Sequence, residues 1–211
     1  MISGQAEVRI RKLSPELADD YFSLFDDVYD NDPWLKYEGN RDWGGCYCTF
    51  YDDIRADKEI DPSKDKRTEN RANRRSTIEN RKASGLLAYV GGRVVGWCNV
   101  APRGSYANPQ YLKEAADVPE EKVGSVTCLT VLSKHRKQGV GTQLLKAACD
   151  LVEDWGIPVV EGYPRNPMIK ENSYRIPAEN PAFRGSVDMF LTSGFKVHRD
   201  LGRFLVVRKK L

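Results

Sequence analysis

Long apolar runs are missing from this chain of 211 residues. Because a membrane-spanning helix needs about 18 or more consecutive apolar residues, the sequence predicts no transmembrane segment. The opening residues, MISGQAEVRI, also lack the apolar core of a signal peptide. We therefore expect a cytoplasmic protein that does not bind a membrane.

Cysteine and histidine are scarce, with five and two residues respectively. An odd number of cysteines at this low density predicts reduced thiols rather than a disulfide framework. Cys46 and Cys48 form a CxC pair while Cys98 and Cys128 stand alone, which is not a standard zinc spacing. We expect no bound metal and interpret these cysteines as small buried residues.

An excess of either charge is missing as well. The chain has 33 basic and 30 acidic residues, so its formal net charge is only +3. This surplus is too small to predict a nucleic-acid partner. The hydrophobic content of 40% and charged content of 30% are ordinary for one α/β domain, which we place over residues 1–211.

The most informative segment that is present runs from Ser125 to Tyr163. A continuous apolar run, Val126 to Leu132, is typical of a buried strand, and a long amphipathic helix follows it. Two glycines, Gly139 and Gly141, stand where this helix begins, and no Ser, Thr, Asp or Asn cap immediately precedes Gly139. The free N–H groups of such a first turn are suited to bind an anion, so a phosphate-bearing ligand is the first hypothesis.

Two common phosphate-binding motifs are absent: no GxxxxGK followed by Ser or Thr occurs, and no GxGxxG. The chain instead reads Arg136-Lys-Gln-Gly139-Val-Gly141, an R-x-x-G-x-G pattern placed between a strand and a helix. This arrangement resembles the acetyl-CoA-binding core of the GNAT superfamily of N-acetyltransferases, and further strings resemble one bacterial branch of it. The structural alternative is an ordinary glycine-containing strand-to-helix turn.

The rest of the chain follows the element order of that superfamily. A first strand is predicted at Glu7 to Leu13, and paired glycines predict a hairpin that joins Leu86–Val90 to Val94–Val100. Two last strands are predicted around Phe195–Val197 and Phe204–Val207. The resemblance implies a mixed α/β fold with a mostly antiparallel, twisted sheet flanked by helices. It also implies a V-shaped splay between the fourth and fifth strands.

The resemblance further implies that acetyl-CoA is the acyl donor. The acetyl-pantetheine end would contact Leu129, Thr130 and Val131, and a backbone N–H near Leu129 or Val131 would polarise the thioester carbonyl. The diphosphate would lie on the turn and the first helical residues, which are Arg136, Lys137, Gln138, Gly139, Val140, Gly141 and Thr142.

The catalytic groups are harder to assign. Acetyl transfer needs a base for the amine, and Glu161 is the best carboxylate, although an ion pair with an arginine such as Arg103 or Arg165 is a slightly favoured explanation of it. Many members of the superfamily carry a tyrosine that protonates the leaving thiolate, four residues before a Gly-Phe pair. Here that position is Phe190, so Tyr163 and Tyr174 are the candidates to replace the tyrosine, although direct attack does not strictly require such an acid. Deprotonation through water is a further alternative.

Three other segments are candidates for function. Thr68 to Ala83 predicts a solvated surface helix; its alternatives are a lid over the acceptor cleft, or a basic surface for CoA phosphates or an acidic partner. The arginines of that surface are Arg71, Arg74, Arg75 and Arg81. The long connections Pro102–Glu121 and Pro164–Ala182 are candidates for substrate selection.

Together these features predict an acetyl-CoA-dependent N-acetyltransferase in which an amine attacks the thioester directly in a ternary complex. A small-molecule amine is favoured over a protein as acceptor, and a homodimer is considered. The alternatives are a non-catalytic CoA or acyl-CoA sensor, and nucleic-acid binding through the arginine-rich helix. An acetyl-cysteine intermediate at Cys128 is a minor alternative.

Overall fold

The computed structural model describes residues 7–36, 45–51, 65–106, 119, 122–168, 183–202 and 204–211. Within these ranges the chain forms seven strands and four α-helices, joined in places by short 3₁₀ turns. In chain order they are β1 (Val8–Lys12), α1 (Ala18–Asn31), α2 (Lys66–Glu79), β2 (Leu86–Val90), β3 (Arg93–Pro102), β4 (Val123–Val131), α3 (Val140–Asp154), β5 (Val159–Gly162), α4 (Val187–Thr192), β6 (Lys196–Asp200) and β7 (Leu205–Lys210).

The described strands pair into one sheet in the order β1-β2-β3-β4-β5-β7-β6. Every neighbouring pair is antiparallel except β4 and β5, which are parallel. β4 pairs with β5 only from Val123 to Val126, although β4 continues to Val131. The predicted fold and the splay between the fourth and fifth strands are therefore confirmed.

Helices cover both faces of this sheet because each has an apolar side. On one face, α1 buries Tyr21, whose ring lies 4.9 Å from that of Trp97 on β3. On the other face, α3 approaches β4 at Gly124, where a Cβ would lie 2.5 Å from Val152. A glycine at this position lets helix and strand pack closely.

Helix α2 is less exposed than the sequence suggests. Its Arg74 is 1% exposed and Ile78 is also buried, so the prediction of a solvated helix is wrong for this face. Two half-buried arginines of α2 instead pair with acidic residues of α1: Arg71 with Asp26 and Arg75 with Asp19. These ion pairs explain why a helix with a thin apolar stripe docks on α1.

The two edges of the sheet, β1 and β6, are both interrupted or charged. β1 carries Arg9 and Arg11, and β6 contains an irregularity between Val197 and Arg199. None of the described helices is both long enough and apolar enough to cross a membrane.

Candidate functional site

The junction between β4 and α3 has the geometry that the glycine motif predicts. Gly139 occupies the N-cap position in the left-handed region, at φ 82°, and among the described residues it leaves the helix without a side-chain cap. The N–H of Gln143 donates to the Gly139 carbonyl at 3.0 Å. The N–H groups of Val140, Gly141 and Thr142 precede this bond and have no acceptor within the helix. Three backbone donors at the positive end of a helix dipole therefore face outwards.

The two positions of the motif favour glycine for different structural reasons. At Gly139 the positive φ strongly favours glycine, and a Cβ there would meet only open space. Gly141 has an ordinary φ, but a Cβ there would lie 3.1 Å from Met189 Sδ and 3.3 Å from Leu129 Cδ2. The absence of a side chain at Gly141 therefore allows α3, β4 and α4 to pack closely. From the sequence alone, only the approach of a ligand explains this glycine.

The side chain of Arg136 is turned into the protein. Its Nε donates to the Val131 carbonyl at 2.9 Å, and its guanidinium pairs with the buried carboxylate of Asp32. Arg136 thus ties the turn to β4 and to the end of α1. Gln138 is exposed and donates to the Lys134 carbonyl at 2.9 Å, while the exposed Lys137 leaves a positive charge beside the turn. A direct contact of Arg136 with phosphate stays a prediction.

The end of β4 differs from the expected exposed strand edge. The N–H of Leu129 donates to the Phe183 carbonyl at 2.7 Å, and Leu129 forms a parallel bridge with Arg184. Leu129 and Val131 lie beside Gly141, whereas the Thr130 hydroxyl lies 3.5 Å from Cys128 Sγ. The Leu129 N–H therefore already has an acceptor in this conformation, and polarisation of a thioester by a backbone N–H near Leu129 or Val131 stays a prediction. A segment of the chain itself occupies the splay.

Glu161 is completely buried and surrounded by donors. One carboxylate oxygen accepts from Arg208, with Nε at 2.8 Å, and the other accepts from Arg103 Nη1 at 3.1 Å and from the Tyr163 hydroxyl at 3.0 Å. A second nitrogen of Arg208 also contacts the first oxygen. Because a carboxylate offers about four lone-pair sites, these donors saturate it. The arrangement favours the ion pair over a catalytic base, and Arg103 is one of the two arginines considered.

Tyr163 belongs to the same buried network. Its hydroxyl lies 2.8 Å from Ser125 Oγ as well as near Glu161. Burial, followed by the negative charge of Glu161, raises the pKa of Tyr163 well above its ordinary value. A raised pKa makes this hydroxyl a weaker acid for a leaving thiolate. Its catalytic role stays a prediction, and Tyr174 lies outside the described residues.

The polar network continues across the sheet towards the cysteines. The Tyr106 hydroxyl lies 3.0 Å from the Ser125 carbonyl oxygen and 3.1 Å from Asn99 Oδ1, and its single proton can be donated to either. Asn99 Nδ2 in turn donates to Cys48 Sγ at 3.2 Å. These neutral side chains provide hydrogen-bond partners for one another within the core, because a buried polar group is unfavourable without a partner.

The described cysteines are free thiols, and Cys48, Cys98, Cys128 and Cys149 are buried. The pKa of Cys128 is raised well above its usual range by its contact with Cys48 and by burial. A thiol that resists ionisation is a poor nucleophile, which disfavours an acetyl-cysteine intermediate. Among the residues with described positions, no group of three or more His, Cys, Asp or Glu side chains is arranged to hold a metal.

Phe190, at the position of the missing tyrosine, is a core residue with no exposed surface. Its ring lies 5.1 Å from that of Phe195 in an edge-on contact. A Cβ on Gly162 would lie 2.3 Å from Phe190 Cε1, so the ring abuts the backbone of β5. Phe190 fills the base of the splay and provides no proton donor.

Sequence reasoning missed three parts of this site: Arg208, the Phe183–Arg184 segment and the network through Asn99. Arg208 stands directly opposite Glu161 in the β5–β7 pairing, so it could be found only once that strand pairing is known. Most of the two loops expected to select the substrate lies outside the described residues.

The parallel strands β4 and β5 thus diverge beside the helix N-terminus at Gly139. The sequence profile of the acetyltransferase (GNAT) family matches residues 47–166, which is more than half of the chain. The chain belongs to this family. No curated protein sequence matches it.

Solved acetyltransferase structures share the fold. The PaiA N-acetyltransferase from Thermoplasma acidophilum, in complex with coenzyme A, is 15% identical, with a TM-score of 0.56 over 97% of this chain and 99% of that chain. YncA from Salmonella typhimurium, with its cofactor acetyl-CoA, is 14% identical, with a TM-score of 0.51 over 97% and 94%. The ribosomal-protein-alanine N-acetyltransferase from Brucella melitensis is 17% identical, with a TM-score of 0.52 over 96% and 99%. At these identities the likeness extends to the fold alone.

Proposed function

We propose that this protein transfers the acetyl group of acetyl-CoA to a primary amine by direct attack in a ternary complex. The observation that carries the proposal is the uncapped first turn of α3, where Val140, Gly141 and Thr142 present three N–H groups beside the splay. Family membership supports acetyl transfer, and two structural neighbours were solved with CoA or acetyl-CoA.

The nucleotide end of the donor fits the residues that are present. The N–H groups of the first turn would hold the diphosphate, and exposed Lys134 and Lys137 add positive charge next to it. The bound donor supplies an activated acyl group on a thioester. At the acyl end the donor fits only if the contact between the Leu129 N–H and the Phe183 carbonyl is broken, because that N–H already donates to Phe183.

Deprotonation of the amine is assigned to water rather than to a side chain. Glu161 has no lone pair left to accept a proton unless an arginine moves away. The buried network around Tyr163 instead fixes the position of β5 against β4. We therefore propose a mechanism that depends on orientation of the two substrates more than on a general base.

The acceptor is proposed to be a small-molecule amine, and the location to be the cytoplasm. The structural neighbours include one enzyme named for a ribosomal protein, so the fold alone does not select the acceptor class. A homodimer remains part of the proposal. Nucleic-acid binding through α2 loses support because Arg67, Arg71 and Arg75 are paired with acidic groups of α1.

A two-part experiment tests this proposal. Calorimetry with acetyl-CoA measures donor binding, and release of the CoA thiol is then followed across a panel of amines. Binding together with amine-dependent thiol release supports the proposal, and absence of acetyl-CoA binding to folded protein overturns it.

The second candidate is a CoA or acyl-CoA sensor without catalysis. It is favoured by Phe190, which replaces the usual acid, and by the saturated carboxylate of Glu161. Binding without thiol release under every condition, including alkaline pH where amines are deprotonated, would favour the sensor.

A further inference from the structure

The segment from Phe183 to Gly185 lies where the parallel strands diverge. β5 stops pairing with β4 at the Val126–Gly162 pair, and beyond it the Phe183 carbonyl accepts the Leu129 N–H at 2.7 Å. This distance is at the short end for an N–H···O bond. The segment thus continues the parallel pairing of β4 after β5 has turned away.

Side-chain contacts hold this segment in place. The guanidinium of Arg184 stacks over the ring of Phe204 at 4.0 Å, and its Nη1 lies 3.5 Å from the Tyr163 carbonyl. Gly185 has a φ of 75°, a conformation that favours glycine. Ser186 then caps α4 by accepting the Met189 N–H at 3.2 Å. The position of the segment is therefore defined by a stacked arginine, a glycine turn and a helix cap.

This placement conflicts with productive binding of an acyl donor. A donor whose diphosphate lies at the first turn of α3 would extend its pantetheine arm along β4 towards Leu129. The backbone donor at Leu129 cannot serve both the Phe183 carbonyl and a thioester carbonyl at full strength.

We propose that residues Phe183–Gly185 are a self-inhibitory strap that occupies the pantetheine end of the donor site and leaves β4 when acetyl-CoA binds. This inference rests on the proposed function, since it concerns regulation of the same site. The whole donor binds only those molecules in which the strap is displaced. The apparent affinity for the donor is therefore the intrinsic affinity multiplied by the fraction of molecules in that state. The strap does not affect a ligand that binds only at the first turn of α3.

The substitution Arg184→Ala removes the stacking contact with Phe204 and the contact with the Tyr163 carbonyl, and it leaves the helix cap intact. Cation–π contacts of this kind change an equilibrium by about two- to fivefold at partly exposed sites. We expect CoA to bind Arg184→Ala about two- to fivefold more tightly than wild type in calorimetry. The affinity for 3′-phospho-ADP, the nucleotide of CoA without its pantetheine arm, should not increase.

Two further variants serve as controls. Arg9→Ala removes one positive charge from the exposed edge strand β1, three strands away from β4, and reports the purely electrostatic effect on binding. Phe204→Leu removes the ring beneath Arg184 and should reproduce the tighter binding of CoA. It also keeps the test valid if Arg184→Ala does not fold.

Amide hydrogen exchange by NMR tests the contact itself. In the free protein, the Leu129 amide should exchange about two- to fivefold faster in Arg184→Ala than in wild type. The strap proposal is overturned if Leu129 exchange is unchanged, or if CoA binds wild type and variants equally while residues 183–185 keep their position. If neither CoA nor 3′-phospho-ADP binds any folded variant, the proposed function fails and the strap proposal fails with it.

Discussion

At the scale of single residues, the surroundings of Glu161 distinguish a buried ion pair from a catalytic base, which its sequence position alone does not. A carboxylate in an apolar strand is either paired or used in catalysis. Here two arginines and a tyrosine satisfy it inside the core, and Arg103 has no exposed side-chain surface. The loss of folding free energy on removal of the Glu161 carboxylate is therefore set by the two arginines that lose their counter-charge.

We expect Glu161→Gln to destabilise the protein by about 3–5 kcal/mol, because it leaves two largely buried guanidinium groups without their counter-charge. Urea denaturation measures this loss. The matched control, Glu153→Gln on the exposed side of α3, should change the free energy of unfolding by less than about 0.5 kcal/mol. Wild-type stability together with lost turnover in Glu161→Gln would instead identify Glu161 as the base.

Phe190→Tyr tests whether the missing acid can simply be restored. The ring is fully buried and its tip packs against β5, since a Cβ on Gly162 would lie 2.5 Å from Phe190 Cζ. We expect a loss of about 1–3 kcal/mol from overpacking against β5, measured by chemical denaturation. Phe50→Tyr, at a half-buried ring, is the control and should be close to neutral. Unchanged stability with faster thiol release would contradict this packing argument.

At the scale of elements, the turn at residues 45–51 depends on α2. Tyr47 and Cys48 both have positive φ values, 45° and 55°, which are uncommon for residues other than glycine. The buried Arg74 donates from Nε to the Tyr47 carbonyl at 3.1 Å and also contacts the Cys48 carbonyl, while Tyr21 donates to the Tyr47 carbonyl at 2.7 Å. Donors from two helices therefore hold a strained turn against β4.

Replacement of Arg74 by methionine should remove this support. We expect Arg74→Met to lower the free energy of unfolding by about 1.5–3 kcal/mol, the range for hydrogen bonds that involve a charged group. Arg75→Met is the control on the same helix, because Arg75 is partly exposed and pairs with an exposed Asp19. Equal effects of the two substitutions in thermal or urea unfolding would show that Arg74 does not hold the turn.

Elements with a strong local pattern were predictable from the sequence, and elements that depend on distant contacts were not. The helix after Gly139 and the hairpin through Gly91 and Gly92 occur where expected, because glycine geometry and apolar spacing are local signals. The buried face of α2 was missed because Arg74 reads as a surface residue until its carbonyl partners are known. The contact of Phe183 with Leu129 was missed for the same reason, since 54 positions separate them in the sequence.

At the scale of the whole molecule, the buried thiols offer a probe of global unfolding. Burial is the main cause that raises the pKa of Cys46 to about 12, and it also raises the pKa of Cys98 above its usual range. At pH 8 the thiolate fraction of Cys46 should then be about one in ten thousand, against about a quarter for an ordinary thiol.

We therefore expect native protein at pH 8 to show no fast equivalent of thiol in reaction with Ellman's reagent. All five cysteines should react after denaturation in guanidinium chloride. As pH rises towards 12, reactivity of Cys46 should increase. A fast native phase of one equivalent or more near neutral pH would contradict the raised pKa of the half-buried Cys46 or the burial of the other four thiols.

The charged and irregular edges of the sheet have a consequence for self-association. If two copies of β1 paired antiparallel about Ile10, Arg9 of each would face Arg11 of the other, and like charges in register repel. The bulge around His198 breaks the ladder that a second β6 would need. Both edge strands of the described sheet therefore disfavour edge-to-edge pairing with a second copy of the chain.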